Sequence, residues 1–304
     1  MRKEKANVVL LGESTGLLNS LKKKESLHIV NFEKVCFSND NLLYQLNGNN
    51  NIQTISIVAD LSSKLHENLW GLILSLDFFK KKKINIDKLI FPYLPYSRSN
   101  KVSNNNTKSL QTLICHINKY KVGELVVLDP HFGNQKLFST NKIIIVEQKQ
   151  IFEPFLKNNL GYNLILGPDE GSKERVCQVS TLLNIEGFTF NKKRRGHKEE
   201  VKIKVAEQIR NYILKSDKLL IMDDEICSGE TLKNTIKEIK LINSNLIIDV
   251  YITHNFMRRI DEEVFKSINN FYTTNSIENK LRYQKINIVN LSRLIEDVVN
   301  YDIG

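Results

Sequence analysis

Long apolar runs are missing. Nothing in the 304 residues approaches the ~18–20 consecutive apolar positions that cross a bilayer, so no membrane span is expected. Proline (5) and glycine (13) are scarce, which excludes collagen-like and linker-dominated architectures. Cysteine is scarce as well. Cys36, Cys115, Cys177 and Cys227 form no CxxC pair and no metal-ligand spacing, so they read as reduced thiols of a soluble, cytoplasmic protein. The stretch from Met1 to Leu10 is charged and then apolar, but no small-residue cleavage site follows, and no signal peptide is expected. What remains is ordinary globular composition, 41% hydrophobic and 26% charged. The length suits two domains of about 150 residues, each with its own core.

Acidic residues are outnumbered, 34 against 44 basic ones, for a formal net charge of +10. That excess suits an anionic partner, either nucleic acid or phosphorylated small molecules. The lysines do not form one stripe, however. Lys22–Lys24 and Lys80–Lys83 each follow an apolar segment with helical spacing and read as solvated helix ends, where the helix dipole favours cations. Nucleic acid is therefore not the expected partner.

Short β-branched runs alternate with helical patterns along the whole chain. Asn7–Gly12, Thr54–Asp60, Lys88–Pro92, Glu124–Asp129 and Lys142–Val146 read as strands, with helices over Asn68–Phe79 and Thr107–Ile117. The alternation then restarts. Asn163–Gly167, Lys218–Met222 and Leu246–Thr253 read as strands, and Ser172–Leu183, Thr231–Ile239 and Leu291–Val299 as helices. Near-continuous apolar strands between helices predict an α/β chain with two mostly parallel sheets, each flanked by helices. The expected domains are 1–146 and 147–304. Several strands end at an acid or a histidine (Asp129, His131, Asp169, Asp223, Asp224, His254), where parallel sheets bind ligands.

The stretch Leu219–Thr231 carries the most chemistry. An apolar strand is expected to stop at Asp223 and Asp224, and a short loop with Ser228, Gly229 and Thr231 opens a helix. Helix-start N–H groups with nearby hydroxyls cradle a phosphate, and paired carboxylates accept hydrogen bonds from a vicinal diol. Together they describe a ribose 5-phosphate moiety. The plainer alternative is a βα turn whose hydroxyls cap the helix.

This stretch resembles the phosphoribosyl-binding loop of the type I phosphoribosyltransferase fold. Six further segments, in the family's order, resemble the ribose-phosphate pyrophosphokinase family: Ile90–Lys101, Leu128–Gly133, Leu166–Gly171, Phe190–Arg195, Tyr251–Asn255 and Tyr272–Ile277. The resemblance covers essentially the whole chain and implies two phosphoribosyltransferase-like domains. It also implies an ATP-dependent transferase that moves pyrophosphate to the anomeric hydroxyl of ribose 5-phosphate, with Mg2+ and as a homo-oligomer.

Residue by residue, the resemblance makes Lys192 and Arg194 the catalytic cations of a hairpin over the reacting phosphates. Phe37 and Asn39, in Cys36–Asn41, would lie on the adenine side, with Arg98 and His131 on the ATP phosphates. His131 and Asp169 would hold the magnesium. Asp223 and Asp224 would take the ribose hydroxyls, and Cys227, Ser228, Gly229 and Thr231 the 5-phosphate. Taken alone, His131 reads equally as a structural histidine, Lys192–Arg195 as a solvated turn, and Phe37 as a core side chain. The chain departs from the family pattern at Asn41, Asn100, Ser172 and Glu230. A non-catalytic regulatory member of the same family, or a phosphoribosyltransferase, stays open as the alternative.

Overall fold

Alternating apolar strands and amphipathic helices become two separate parallel sheets in the computed structural model. It describes residues 5–301 except 14, 49–50, 101–106, 132–141, 147, 157–160, 194–201, 260, 280 and 282, with backbone only at 100, 191–193 and 202–204. Two compact units emerge. The first comprises Met1–Glu147, Ser276–Glu278 and Leu291–Gly304, and the second Gln148–Asn275 and Asn279–Asn290.

The first unit holds a six-stranded sheet in the order β2 (Leu27–Ile29), β1 (Ala6–Leu11), β5 (Thr54–Ala59), β6 (Asn85–Phe91), β7 (Glu124–Leu128), β8 (Lys142–Val146). Every neighbouring pair in it is parallel. All of β5 after Thr54 is buried, as are the last four residues of β6, which is the pattern of a sheet covered on both faces. Helices α1 (Gly16–Leu21), α2 (Leu65–Lys81) and α3 (Ser109–Asn118) belong to this unit, and so does the C-terminal helix α9 (Ser292–Asn300). Buried Lys88 of β6 donates to the carbonyls of Val298 and Tyr301 at the end of α9, which satisfies orphan carbonyls there. Both lysine runs lie at helix ends: Lys22 caps α1, and the exposed Lys80–Lys83 close α2.

An antiparallel hairpin, β3 (Phe32–Cys36) and β4 (Leu42–Leu46), stands apart from the sheet. Tyr44 seats it on α2 at Gly71, where any β-carbon would collide with the tyrosine hydroxyl. Lys34 on β3 reaches Glu67 of α2 at 2.7 Å and Glu13 at 3.0 Å. Burial opposes the Lys34 charge, but its hydrogen bonds to Glu67 and Glu13 prevail and raise the ammonium above its ordinary value.

The second unit repeats the scheme in the order β10 (Glu186–Thr189), β9 (Leu164–Gly167), β13 (Lys218–Ile226), β14 (Ile247–Asn255), β15 (Asn270–Thr274), β16 (Ile286–Val289), again all parallel. Its helices are α4 (Gln148–Leu156), α5 (Lys173–Leu183), α6 (Glu207–Lys215), α7 (Glu230–Ile242) and α8 (Glu262–Ser267). Alternate β13 residues serve opposite faces. Leu219 and Ile221 pack with Ile209, Ile213, Ile236 and Ile239 of α6 and α7, while Leu220 and Met222 pack with Phe152, Phe155, Val176 and Val179 of α4 and α5. A two-stranded antiparallel ribbon, β11 (Asn191–Lys193) with β12 (Lys202–Lys204), lies outside the sheet.

One buried charge sits at the far end of this sheet from the strand C-termini. Asp249, 0% exposed on β14, accepts from Tyr162 Oη at 2.8 Å, Asn270 N at 2.9 Å and Asn269 Nδ2 at 3.0 Å. The Lys218 ammonium stands 3.4 Å from it and 4.3 Å from the centroid of the Tyr162 ring.

Candidate active site

The expected strand end at Met222 is corrected by the structure. β13 runs four residues further, because Asp223 pairs with Ile252, Glu225 with His254 and Ile226 with Asn255 of β14. The carboxylates therefore belong to the end of the strand itself, not to a loop after it. Strand pairing overrides the low β-propensity of Asp and Glu here.

Side-chain alternation would send Asp223 and Asp224 to opposite faces, yet one guanidinium reaches both. Arg175, in the first turn of α5 and 8% exposed, places Nη1 3.7 Å from Asp223 Oδ1 and Nη2 3.6 Å from Asp224 Oδ2. The strand end also hydrogen-bonds within itself: Asp224 N donates to Asp223 Oδ1 at 3.0 Å, and Glu225 N to Asp224 Oδ1 at 2.8 Å. Burial first, and then the adjacent Asp224 charge, push the Asp223 carboxyl well above the ordinary carboxylate range, against the pull of Arg175. A folded state that holds this proton more tightly than the unfolded chain is favoured below the usual carboxylate pKa. That contribution is lost as pH rises through the raised value.

Next along the chain, Cys227, Ser228 and Gly229 make the turn into α7. Gly229 has φ +80°, in the left-handed region that glycine enters without cost, and serves as the helix N-cap. Its carbonyl accepts from Lys233 N at 2.9 Å to open the helix. Glycine has no side-chain acceptor, so Gly229 itself caps none of the first-turn N–H groups of α7. Cys227, Ser228, Glu230 and Thr231 are exposed. Cys227 Sγ donates to the buried Glu225 carboxylate at 3.2 Å, and Ser228 Oγ lies 3.4 Å from Glu230 N.

Glu230 occupies the first helical position, and the positive φ falls on Gly229 before it. A carboxylate in the first turn is stabilised by the dipole by up to about 1 kcal/mol. If this loop takes the 5-phosphate that the family resemblance implies, Glu230→Gly should shift ribose 5-phosphate affinity by less than about tenfold, ~1.4 kcal/mol, in a calorimetric titration. A gain of roughly a hundredfold would mean that the native carboxylate spoils the cradle.

Asp169 begins the turn after β9. Its Oδ1 accepts from Gly171 N at 3.0 Å, and its carbonyl accepts from the buried Ser172 hydroxyl at 2.5 Å. Ser172 fits because Gly167 lacks a side chain; a β-carbon there would strike Ser172 Oγ. Asp169 also lies close enough to Asp223 to raise its carboxyl. Asp169, Asp223, Asp224 and the 227–231 loop thus gather at the carboxyl ends of β9 and β13, where parallel sheets bind ligands.

The remaining candidates belong to the first unit, lie on the β11–β12 ribbon of the second, or fall outside what is described. Phe37 and Asn39 occupy the tip of the β3–β4 hairpin, where Asp40 N donates to Phe37 O and closes the turn; Phe37 is 49% exposed. Arg98 is exposed on a 3-10 turn at Ser97–Asn100. His131 follows β7 after Asp129, which takes a positive φ of 41°. Lys192 lies on β11 opposite Ile203. Arg194 lies outside the described residues. Sequence reasoning missed Arg175 and Glu225. The available signal for Arg175 was its place on the inward stripe of α5 with Val176 and Val179.

No family model matches the chain. It is 30% identical over 227 residues to a ribose-phosphate pyrophosphokinase of Pyrococcus abyssi, a match spanning 73% of this chain and 76% of the relative. The Pyrococcus furiosus enzyme of that name is 30% identical over 205 residues, 66% of this chain and 70% of its own. That of Sulfurisphaera tokodaii is 23% identical over 291 residues, 95% and 98% of the two chains. Among solved structures, phosphoribosylpyrophosphate synthetase from Mycobacterium smegmatis superposes with a TM-score of 0.78 at 14% identity, covering 97% of this chain and 98% of that one, and so shares the fold. With its two helix-flanked parallel sheets and its Asp-Asp strand end, this chain belongs to the ribose-phosphate pyrophosphokinase family.

Proposed function

We propose that the protein transfers the pyrophosphoryl group of ATP to the anomeric hydroxyl of ribose 5-phosphate, giving phosphoribosyl pyrophosphate and AMP. The observation that carries this reading is the end of β13: two adjacent carboxylates, Asp223 part-buried and Asp224 buried, then a left-handed glycine and a helix start, all within eight residues. Asp223 and Asp224 accept from the ribose hydroxyls. Ser228, Gly229 and Thr231, with the first-turn N–H groups of α7 and the Cys227 backbone, hold the 5-phosphate. Phe37 and Asn39 offer an exposed aromatic and an amide for adenine, while Arg98 and His131 meet the phosphates of ATP. The ribose oxygen forms its bond to the β-phosphorus as the bridge to the α-phosphorus breaks, and the hydroxyl proton is released. Displacement at phosphorus needs in-line placement and positive charge more than covalent help. Lys192, Arg194 and Arg98 supply that charge, and the assembly is expected to be a homo-oligomer.

Among the described residues, no three His, Cys, Asp or Glu side chains converge to hold a metal. The donor chemistry still fits magnesium, which favours oxygen ligands and is commonly held by one or two carboxylates plus substrate phosphates. Asp169 is such a carboxylate, fixed by its turn; the His131 nitrogen is the less suited donor. Bound magnesium would neutralise charge on the transferring phosphates.

Incubation with ATP, Mg2+ and ribose 5-phosphate should yield AMP and the pyrophosphorylated sugar in equal amounts. Binding of both substrates without turnover would instead favour the non-catalytic family member. Asp223→Asn and Asp224→Asn should each weaken ribose 5-phosphate by roughly 1.5–3 kcal/mol and spare ATP, since each removes a charge-assisted acceptor. Calorimetry finding ATP weakened and the sugar phosphate unaffected would reverse the two sites.

A further inference from the structure

Arg175 is turned inward although its helix offers it a way out. Lys173 and Glu174, beside it in the first turn of α5, are exposed, whereas Arg175 is buried. A buried guanidinium needs charge and hydrogen-bond compensation, and this one finds it in three places at once. Nη1 faces Asp223 at 3.7 Å and donates to the Gly171 carbonyl at 3.3 Å, and Nη2 faces Asp224 at 3.6 Å. At 3.7 and 3.6 Å these two contacts are ion pairs, through which the fork contributes charge and a fixed spacing. Gly171 belongs to the turn whose N–H is held by Asp169. One side chain thus spans the two elements that carry the candidate ligands at the ends of β9 and β13.

We propose that Arg175 is a positioning residue for the sugar diol, holding Asp223 and Asp224 as a matched pair of acceptors and tying that pair to the Asp169 turn. The proposal rests on the reading of Asp223 and Asp224 as the ribose-binding acids. Two neighbouring carboxylates without a counter-charge repel each other and part. Only a planar fork can address one oxygen on each, so lysine, a point charge, is a partial substitute. The role is indirect: Arg175 acts through the two aspartates.

The test is calorimetric titration of the full-length protein with ribose 5-phosphate and, separately, with ATP, for wild type, Arg175→Gln and Arg175→Lys. Arg175→Gln should weaken ribose 5-phosphate at least tenfold while ATP changes less than threefold, and Arg175→Lys should recover part of the loss. In an Asp224→Asn background, Arg175→Gln should cost markedly less than it does alone, because the pair it aligns is already broken. Sugar-phosphate affinity within threefold of wild type in a folded Arg175→Gln protein overturns the proposal. So does an equal loss for both ligands, which marks a structural role only. If Arg175→Gln does not fold, Arg175→Lys decides, and unchanged sugar affinity there overturns the proposal equally. Wild-type protein that binds no ribose 5-phosphate would defeat the functional reading itself, together with the proposal that rests on it.

Discussion

Asp249→Ala should destabilise the second unit by about 3–5 kcal/mol while leaving the ligand loop intact. The carboxylate is 0% exposed and collects the Tyr162 hydroxyl, the Asn270 backbone N–H and the Asn269 amide, with the Lys218 ammonium alongside. Truncation strands these donors in a dry environment, and breaking such a buried charged network costs of that order. Lys218 is part-exposed and can turn towards water, but Tyr162 is buried and cannot. For a unit of this size the change corresponds to a fall in melting temperature of roughly 10–15 °C. Asp249→Asn, which keeps one acceptor and the shape, should lose less. The pair of variants separates acceptor loss from charge loss. Asp249 lies at the opposite end of β14 from Asn255, so the affinity of folded protein for ribose 5-phosphate should stay within about threefold, under ~1 kcal/mol. A melting shift below about 3 °C on Asp249→Ala would show that the network contributes little.

How far these features could be read from sequence depended on how locally they are encoded. The apolar run Leu219–Met222 announces a buried strand by itself, and the loop with Gly229 announces a turn into a helix. Both are local patterns, and both α/β halves follow from their repetition. The continuation of β13 through Asp223–Ile226 was not readable, because acidic residues are poor strand formers and only register with Ile252, His254 and Asn255 keeps them extended. The β3–β4 hairpin was missed for a related reason. Its alternation is weak, and it is fixed from outside by Tyr44 on Gly71 and Lys34 between Glu13 and Glu67. Arg175 was hidden by its type, since an arginine in a first helical turn reads as solvated until the fold places two carboxylates beside it. Two of the four departures, Ser172 and Glu230, look milder in three dimensions than in sequence. Ser172 is accommodated by the bare Gly167, and Glu230 stands where a helix accepts an acid.

Lys192→Ala should cut kcat by about 10²–10³ and move KM for either substrate by no more than about threefold. As the bridge to the α-phosphorus loosens, negative charge builds on the departing AMP oxygen beside the two non-bridging oxygens of the β-phosphorus, and a cation placed for that moment is worth more in the transition state than in the bound ground state. Removing one such charge commonly costs ~3–4 kcal/mol. Asp223 and Asp224 do not compensate, because a carboxyl group supplies no positive charge and their proposed contact is with the sugar. Lys192 is carried by a short ribbon, β11 paired with β12, outside the six-stranded sheet, so its loss should leave the melting temperature of the unit within about 2 °C. The expected signature is therefore intact folding, intact ribose 5-phosphate and ATP titrations, and a collapsed turnover number. Turnover within about threefold of wild type, under ~1 kcal/mol, would remove Lys192 from the chemistry and leave Arg98 and Arg194 as the cations to test.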